Sequence, residues 1–257
     1  MTMATDVETP VQFGGDRSLF GLFLPASRRG AHAVLLCPPL GQDMIRSHRI
    51  YRQLARGLAA EGVPVLRFDY FGTGDSAGEN IQLDWHRCLT DIGTAATELR
   101  TRSGCDTIMA FGARLGGSLA MQASASARFA KVVAWDPVLD GAAHVARQDA
   151  MQQALLGDLN RFAQPRSSMI DQWCGFPVPA ALRQQLGKLQ ATAPAAPLHL
   201  LDSTPSGIPQ RELLLAGGAT VTPLRQPTPW DELERIEVAI LSRELVEQAS
   251  AALRTAH

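Results

Sequence analysis

An excess of charge of either sign is missing from this chain. Its 257 residues carry 24 Lys and Arg against 25 Asp and Glu, a formal net charge of -1. Binding to nucleic acid or to an anionic membrane surface calls for a basic patch. No charge run supplies one, so neither partner is expected. Long apolar runs are missing as well, and none approaches the ~20 residues of a membrane span. Residues 1–10 carry acids and no apolar h-region, so they are not read as a signal peptide, and the cytoplasm is the expected compartment. The four cysteines (Cys37, Cys88, Cys105, Cys174) form no C-x-x-C pair, which argues against a zinc site or a disulfide framework. Histidines and acids never meet at ligand spacing, so no metal and no other cofactor is expected. No internal repeat is present.

What is there is enough for a full core. Hydrophobic residues make up 46% and charged residues 19%, and the length suits one large α/β domain. Residues 10–13 and 19–24 flank Gly14-Gly15-Asp16 and read as an opening hairpin. Residues 33–37 form a continuous apolar run, as a strand buried on both faces does. Ile50, Leu54 and Leu58 place an amphipathic helix over 49–60, closed by Gly62. A strand over 63–69, a turn-rich loop over 70–76, a helix over 84–102 and a strand over 107–111 follow. Residues 131–136 are a further strand. Residues 141–190 are rich in Ala, Gln and Arg and read as a helical insertion, a lid, within a single domain spanning 1–257. Strands over 197–202 and 220–222 and helices over 210–216 and 242–254 complete the chain. Strands alternating with helices imply a mainly parallel sheet covered on both faces. In such sheets, chemistry gathers at the carboxyl ends of the strands.

One stretch organises the rest: Gly112-Ala113-Arg114-Leu115-Gly116-Gly117, between an apolar strand and a small-residue helix. Spaced glycines at a strand-to-helix turn are the context of a nucleophile elbow, G-x-S-x-G. Here the tip is Arg114.

This order of elements resembles the α/β-hydrolase superfamily over nearly the whole chain. The nearest resemblance is to a serine-aminopeptidase-like group that includes the exosortase-system-associated hydrolases. It rests on Cys37-Pro38-Pro39-Leu40-Gly41-Gln42, Arg46-Ser47-His48-Arg49, Asp69-Tyr70-Phe71-Gly72-Thr73-Gly74-Asp75-Ser76, the G-x-R-x-G elbow and Trp135-Asp136-Pro137-Val138-Leu139-Asp140-Gly141. The resemblance implies an eight-stranded-type, mostly parallel sheet flanked by helices, with a lid. It also implies a Ser, Asp/Glu, His order for the triad.

Against that order, two members are wanting. Arg114 stays protonated and cannot attack a carbonyl. The loop where the triad histidine should lie, 223–231, contains no histidine, and beyond His199 only His257 remains. The acid position survives at Asp202, which reads equally well as a functional or a structural carboxylate. Asp136, before Pro137, reads as a turn cap and is carried as a ligand-binding candidate. Arg114 has two readings. It is a plug salt-bridged to an acid, or it joins the Leu115 N–H and an amide of Leu40 or Gly41 in an anion pocket at a helix N-terminus. Gln42 and Trp230 are further candidate contacts. Of the histidines, His48 has a route to the site and His144 another; His32 and His199 lie elsewhere in the sheet, and His86 on the surface.

The expectation is a pseudohydrolase that binds a small carboxylate, phosphate or acyl ligand, with a protein partner also possible. The alternative is a non-triad enzyme acting on an acyl, ester or thioester substrate, with Arg114 and backbone amides as oxyanion stabilisers and Asp202 and His48 in support. An esterase with a displaced nucleophile is the third reading.

Overall fold

The computed structural model describes residues 8–26, 30–159, 171–203 and 209–254. Strands β1 (Thr9–Phe13) and β2 (Leu19–Leu24) form the antiparallel opening hairpin. Then come β3 (Ala33–Cys37), α1 (Gln42–Ala60), β4 (Val65–Phe68), α2 (Trp85–Ser103), β5 (Ile108–Ala113), α3 (Arg114–Gln122) and β6 (Phe129–Trp135). After β6 lie α4 (Gly141–Leu159), the short strands β7 (Gln172–Trp173) and β8 (Phe176–Pro177), and α5 (Ala180–Gly187). The chain returns to the sheet with β9 (Leu198–Asp202), α6 (Pro209–Ala216), β10 (Thr220–Pro223) and α7 (Arg243–Arg254).

Eight strands make one sheet in the order β1-β2-β4-β3-β5-β6-β9-β10. From β4 to β10 every pairing is parallel; β1 and β2 are antiparallel at one edge. The central strands β3, β4 and β5 are buried at every position, because helices cover both faces. On one face α1 and α7 bury Ile50, Leu54, Leu58, Leu245 and Leu253. On the other, α2 and α3 bury Ile92, Leu99 and Leu119, joined by Leu182 and Leu186 of α5.

Two features depart from the sequence reading. Helix α1 starts at Gln42, seven residues earlier than the apolar spacing indicated. Its first turns bury Asp43, Arg46 and Ser47 rather than apolar side chains, so hydrophobic periodicity is silent there. Within the 141–190 segment, Trp173 to Pro177 form a hairpin rather than helix. Cys174 (φ 49) and Gly175 (φ 93) are its two-residue turn, both left-handed as such turns require. Residues 160–170 of that segment lie outside the described residues.

The elbow is built by close approach. A Cβ on Gly112 would sit 2.4 Å from the Gly116 carbonyl oxygen, and one on Gly116 would sit 2.5 Å from that of Cys37. Only glycines let α3 press onto β5 and β3 this closely. Arg114 at the tip takes φ 50, a left-handed value costly for a side-chain-bearing residue. Tyr51 locks the corner from α1. Its hydroxyl donates to the Cys37 carbonyl at 2.8 Å and accepts from the Ala113 N–H at 2.8 Å.

Candidate functional site

At the carboxyl end of β5 the Arg114 side chain is only 6% exposed, and carboxylates take it from two sides. Its Nε donates to Asp43 Oδ2 at 3.3 Å, and one Nη donates to Asp231 Oδ1 at 3.2 Å. Its guanidinium lies over the Trp230 ring, 5.4 Å from the centroid. Asp231 in turn accepts from Arg147 of α4 at 2.8 Å. The result is an alternating row, Asp43–Arg114–Asp231–Arg147, joining α1, the elbow, the loop after β10 and α4.

Each partner is held by its own scaffold. Asp43 sits in the first turn of α1, two residues after Gly41 (φ 62) ends the loop from β3. Burial pushes its carboxyl above the usual aspartate range, and the Arg114 charge works against that push. The loop carrying Asp231 is fixed by Arg46. The Arg46 guanidinium donates to the carbonyls of Trp230 (2.8 Å) and Pro229 (2.6 Å). Trp230 donates through Nε1 to Asp136 at 2.8 Å and stacks at a tilt on Trp135, with centroids 4.6 Å apart.

Asp202 does not partner Arg114. It forms an ion pair with Arg211 of α6 at 2.8 Å. The carboxylates that hold the guanidinium are Asp43 and Asp231, and no sequence pattern pairs either of them with Arg114. Asp136 (φ 42) accepts from Trp230 Nε1, the Ser203 N–H (2.7 Å) and the Ser203 hydroxyl, so its oxygens serve the scaffold. Burial raises its carboxyl and these bonds oppose the rise. Trp230 is buried behind the guanidinium. His48 lies on an exposed part of α1 and lines a separate cavity of about 410 Å³ with Arg67 and Asp69. The structure does not bring it to the elbow.

Leu40, Gly41, Gln42 and Leu115 do come together, around a cavity of about 110 Å³ between the β3–α1 loop and the 141–190 segment. The Gln42 amide is committed to the Ile236 carbonyl at 2.6 Å. The N–H of Leu115 lies in the first turn of α3, where no intrahelical acceptor exists. A second cavity, about 230 Å³, is lined by Arg114, Asp136, Asp202, Arg147 and Arg211.

His144 of α4 lines both cavities. Burial, with the Arg114 and Arg147 charges adding to it, drives its imidazole down to about 3, so the ring is neutral. It meets the Trp173 ring edge-on at 6.0 Å. Its Nδ1 is fully buried and has no hydrogen-bond partner among the described residues. Its place after Asp136 was the sequence signal for it; its burial was not legible there.

Nucleophilic catalysis needs a hydroxyl or thiol against a base. Among the described residues no histidine hydrogen-bonds a serine or a cysteine. His32 contacts the Leu253 carbonyl at 2.8 Å. His199 contacts Thr220 (2.7 Å) and Thr222 (3.1 Å), near the amino end of β9 and away from the elbow. The Ser118 hydroxyl donates to the Val138 carbonyl at 2.7 Å. No group of three or more His, Cys, Asp or Glu side chains among the described residues could hold a metal ion. No helix among them is long and apolar enough to cross a membrane.

No curated protein matches the chain. Among solved structures, the fold is similar to an esterase from Pyrococcus furiosus, at 14% identity and a TM-score of 0.63, over 96% of this chain and 90% of that one. It is similar to Est1E from Butyrivibrio proteoclasticus with ferulic acid bound, at 14% identity and 0.61, over 92% of each. It is also similar to alpha/beta hydrolase domain-containing protein 10 from mouse, at 14% identity and 0.58, over 95% and 96%. At such identities the likeness concerns the fold, and that fold is the α/β-hydrolase fold. Residues 41–171 match the family described as serine aminopeptidase, S33, a stretch that runs from α1 through the elbow to α4. The chain is an α/β-hydrolase-fold protein and belongs to the serine aminopeptidase S33 family.

Proposed function

We propose that this chain is a non-hydrolytic member of its family, a pseudohydrolase that binds a small molecule instead of cleaving one. One observation carries the reading. The tip of the elbow, where the fold places its nucleophile, bears a guanidinium gripped by Asp43 at 3.3 Å and Asp231 at 3.2 Å. Asp231 belongs to the loop from which a triad histidine would reach the nucleophile. A buried ion pair thus stands where a proton-shuttling pair would stand.

The ligand's place is the cavity beside Leu40, Gly41 and Leu115, roofed by Trp173 and Phe176. The 141–190 segment acts as its cap within a single α/β-hydrolase domain. An apolar cavity with few polar groups is the usual form of a small-molecule site. The alternative, Arg114 as electrophile for an acyl or thioester substrate, requires free donors aimed at a developing oxyanion. Nε and one Nη are already given to carboxylates. Anion recognition by Arg114 is opposed by the same two carboxylates, which balance its charge and would lie beside the anion.

The test is labelling with a fluorophosphonate probe together with hydrolysis of p-nitrophenyl butyrate. No labelling and no turnover above background are expected. Stoichiometric labelling, or turnover abolished by Arg114→Ala in a folded protein, overturns the reading.

A further inference from the structure

We infer that the cavity under the Trp173–Phe176 turn selects an uncharged ligand, one with an apolar body and a hydroxyl or amide N–H as head group, and that it rejects carboxylates and phosphates. The inference rests on the reading that this cavity binds a ligand, and it assigns that ligand's chemistry.

The walls set the body. Leu115, Trp173, Phe176, Leu182 and Leu186 give a surface that rewards burying hydrocarbon. The polar groups set the head. No lysine or arginine is among the described residues that line the cavity. Two guanidinium groups lie beside these walls and both are paired: Arg114 faces Asp43 and Asp231, and Arg183, over the Trp173 ring, is held by Asp149. An anion placed here would meet the Leu115 N–H but would also lie against the Asp43 carboxylate with no cation to receive it, and would lose its hydration as well.

Several acceptors line the cavity, those of Asp43, His144 and Gln148 among them. Asp43 uses Oδ2 for Arg114, and its Oδ1 has no hydrogen-bond partner among the described residues. His144 presents a ring whose Nδ1 is buried without a partner. Gln148 lies one helical turn beyond His144 on the same wall. A buried polar atom left unpaired costs stability, and a ligand that donates to it recovers that cost. A cation is disfavoured by the same surroundings. Arg114 already balances the Asp43 charge. Burial, moreover, raises the Asp43 carboxyl and lowers the His144 imidazole, so the site disfavours charge of both signs.

The experiment titrates the full chain by calorimetry with three probes of one size: 2-phenylethanol, phenylacetate and phenethylamine. The expected result is that 2-phenylethanol binds at least about tenfold more tightly than either charged analogue. Leu182→Trp, which fills the cavity, abolishes binding, and His144→Phe weakens 2-phenylethanol by roughly fivefold to tenfold while leaving the apolar wall in place. Circular dichroism establishes that both variants fold. If Leu182→Trp does not fold, competition between 2-phenylethanol and ethylbenzene on the native chain replaces it, with displacement expected. Preference for phenylacetate or phenethylamine, or indifference to His144→Phe, overturns the inference and leaves the non-hydrolytic reading intact. Failure of all three probes to bind overturns it too. Labelling by a fluorophosphonate strikes the non-hydrolytic reading alone.

Discussion

Replacing Arg114 with methionine removes a charge but keeps most of the side-chain volume. Asp43 then loses its 3.3 Å partner, whereas Asp231 keeps Arg147 at 2.8 Å. At 3.3 Å, with an effective dielectric of about 20, the lost attraction is about 5 kcal/mol. A buried carboxylate can escape that cost by taking a proton. The escape costs about 1.4 kcal/mol for each unit between the pH and the usual aspartate value of 3.8. At pH 7 the ceiling is therefore about 4.4 kcal/mol, and at pH 5 about 1.6 kcal/mol. The sign follows from linkage. Burial already raises Asp43 in the folded chain, and without Arg114 it rises further. The folded variant then holds a proton that the unfolded chain releases, so the variant loses stability as pH climbs above about 4. Urea denaturation of wild type and Arg114→Met should show a deficit of about 2–4 kcal/mol at pH 7, shrinking by more than half at pH 5. At neutral pH a deficit of about 4 kcal/mol lowers the melting temperature by roughly 8–16 °C for a chain this size. Adding Asp43→Asn to Arg114→Met should restore most of the loss. A deficit that is equal at the two pH values, or below about 1 kcal/mol at pH 7, would refute the claim that Arg114 neutralises a buried Asp43.

Tyr51→Phe should cost about 1–3 kcal/mol in urea melts, because the Ala113 N–H loses its partner inside the core. A loss under about 0.5 kcal/mol would mean that the elbow does not depend on this hydroxyl. His144 predicts the opposite pH trend to Asp43. Its folded value of about 3 lies below the ordinary 6.5, so its neutral burial adds stability above pH 6.5 that fades as pH falls. Wild type should therefore lose stability, relative to His144→Phe, by about 1.4 kcal/mol per pH unit below 6.5. Parallel curves for the two proteins would contradict its burial. Of the four thiols, Cys37, Cys88 and Cys105 are buried and Cys174 is partly exposed. In the native state Ellman's reagent should modify Cys174 alone, and slowly, since burial raises its thiol. Fast reaction of two or more thiols at pH 7.5 would disagree with this burial pattern.

The local chain was enough to announce the sheet and the elbow. Apolar runs such as 33–37 and 107–111 suit strands covered on both faces, and Gly112 and Gly116 permit a contact that any Cβ would block. The absence of histidine from 223–231 was equally plain. What faces Arg114 was not. Asp43 and Asp231 lie 71 and 117 residues from it, and nothing about an aspartate in sequence tells whether folding will bury it beside a guanidinium. The same holds for Tyr51, which spans two strands through one hydroxyl, and for the early start of α1, where the buried face is polar. His48 and His144 looked alike in sequence. Their difference arises because one emerges on the exposed flank of a helix and the other is sealed between α4 and the Trp173 hairpin. Pattern along the chain reports periodic burial of hydrocarbon, a local property. Which charges meet is decided by the long-range packing of the elements that carry them.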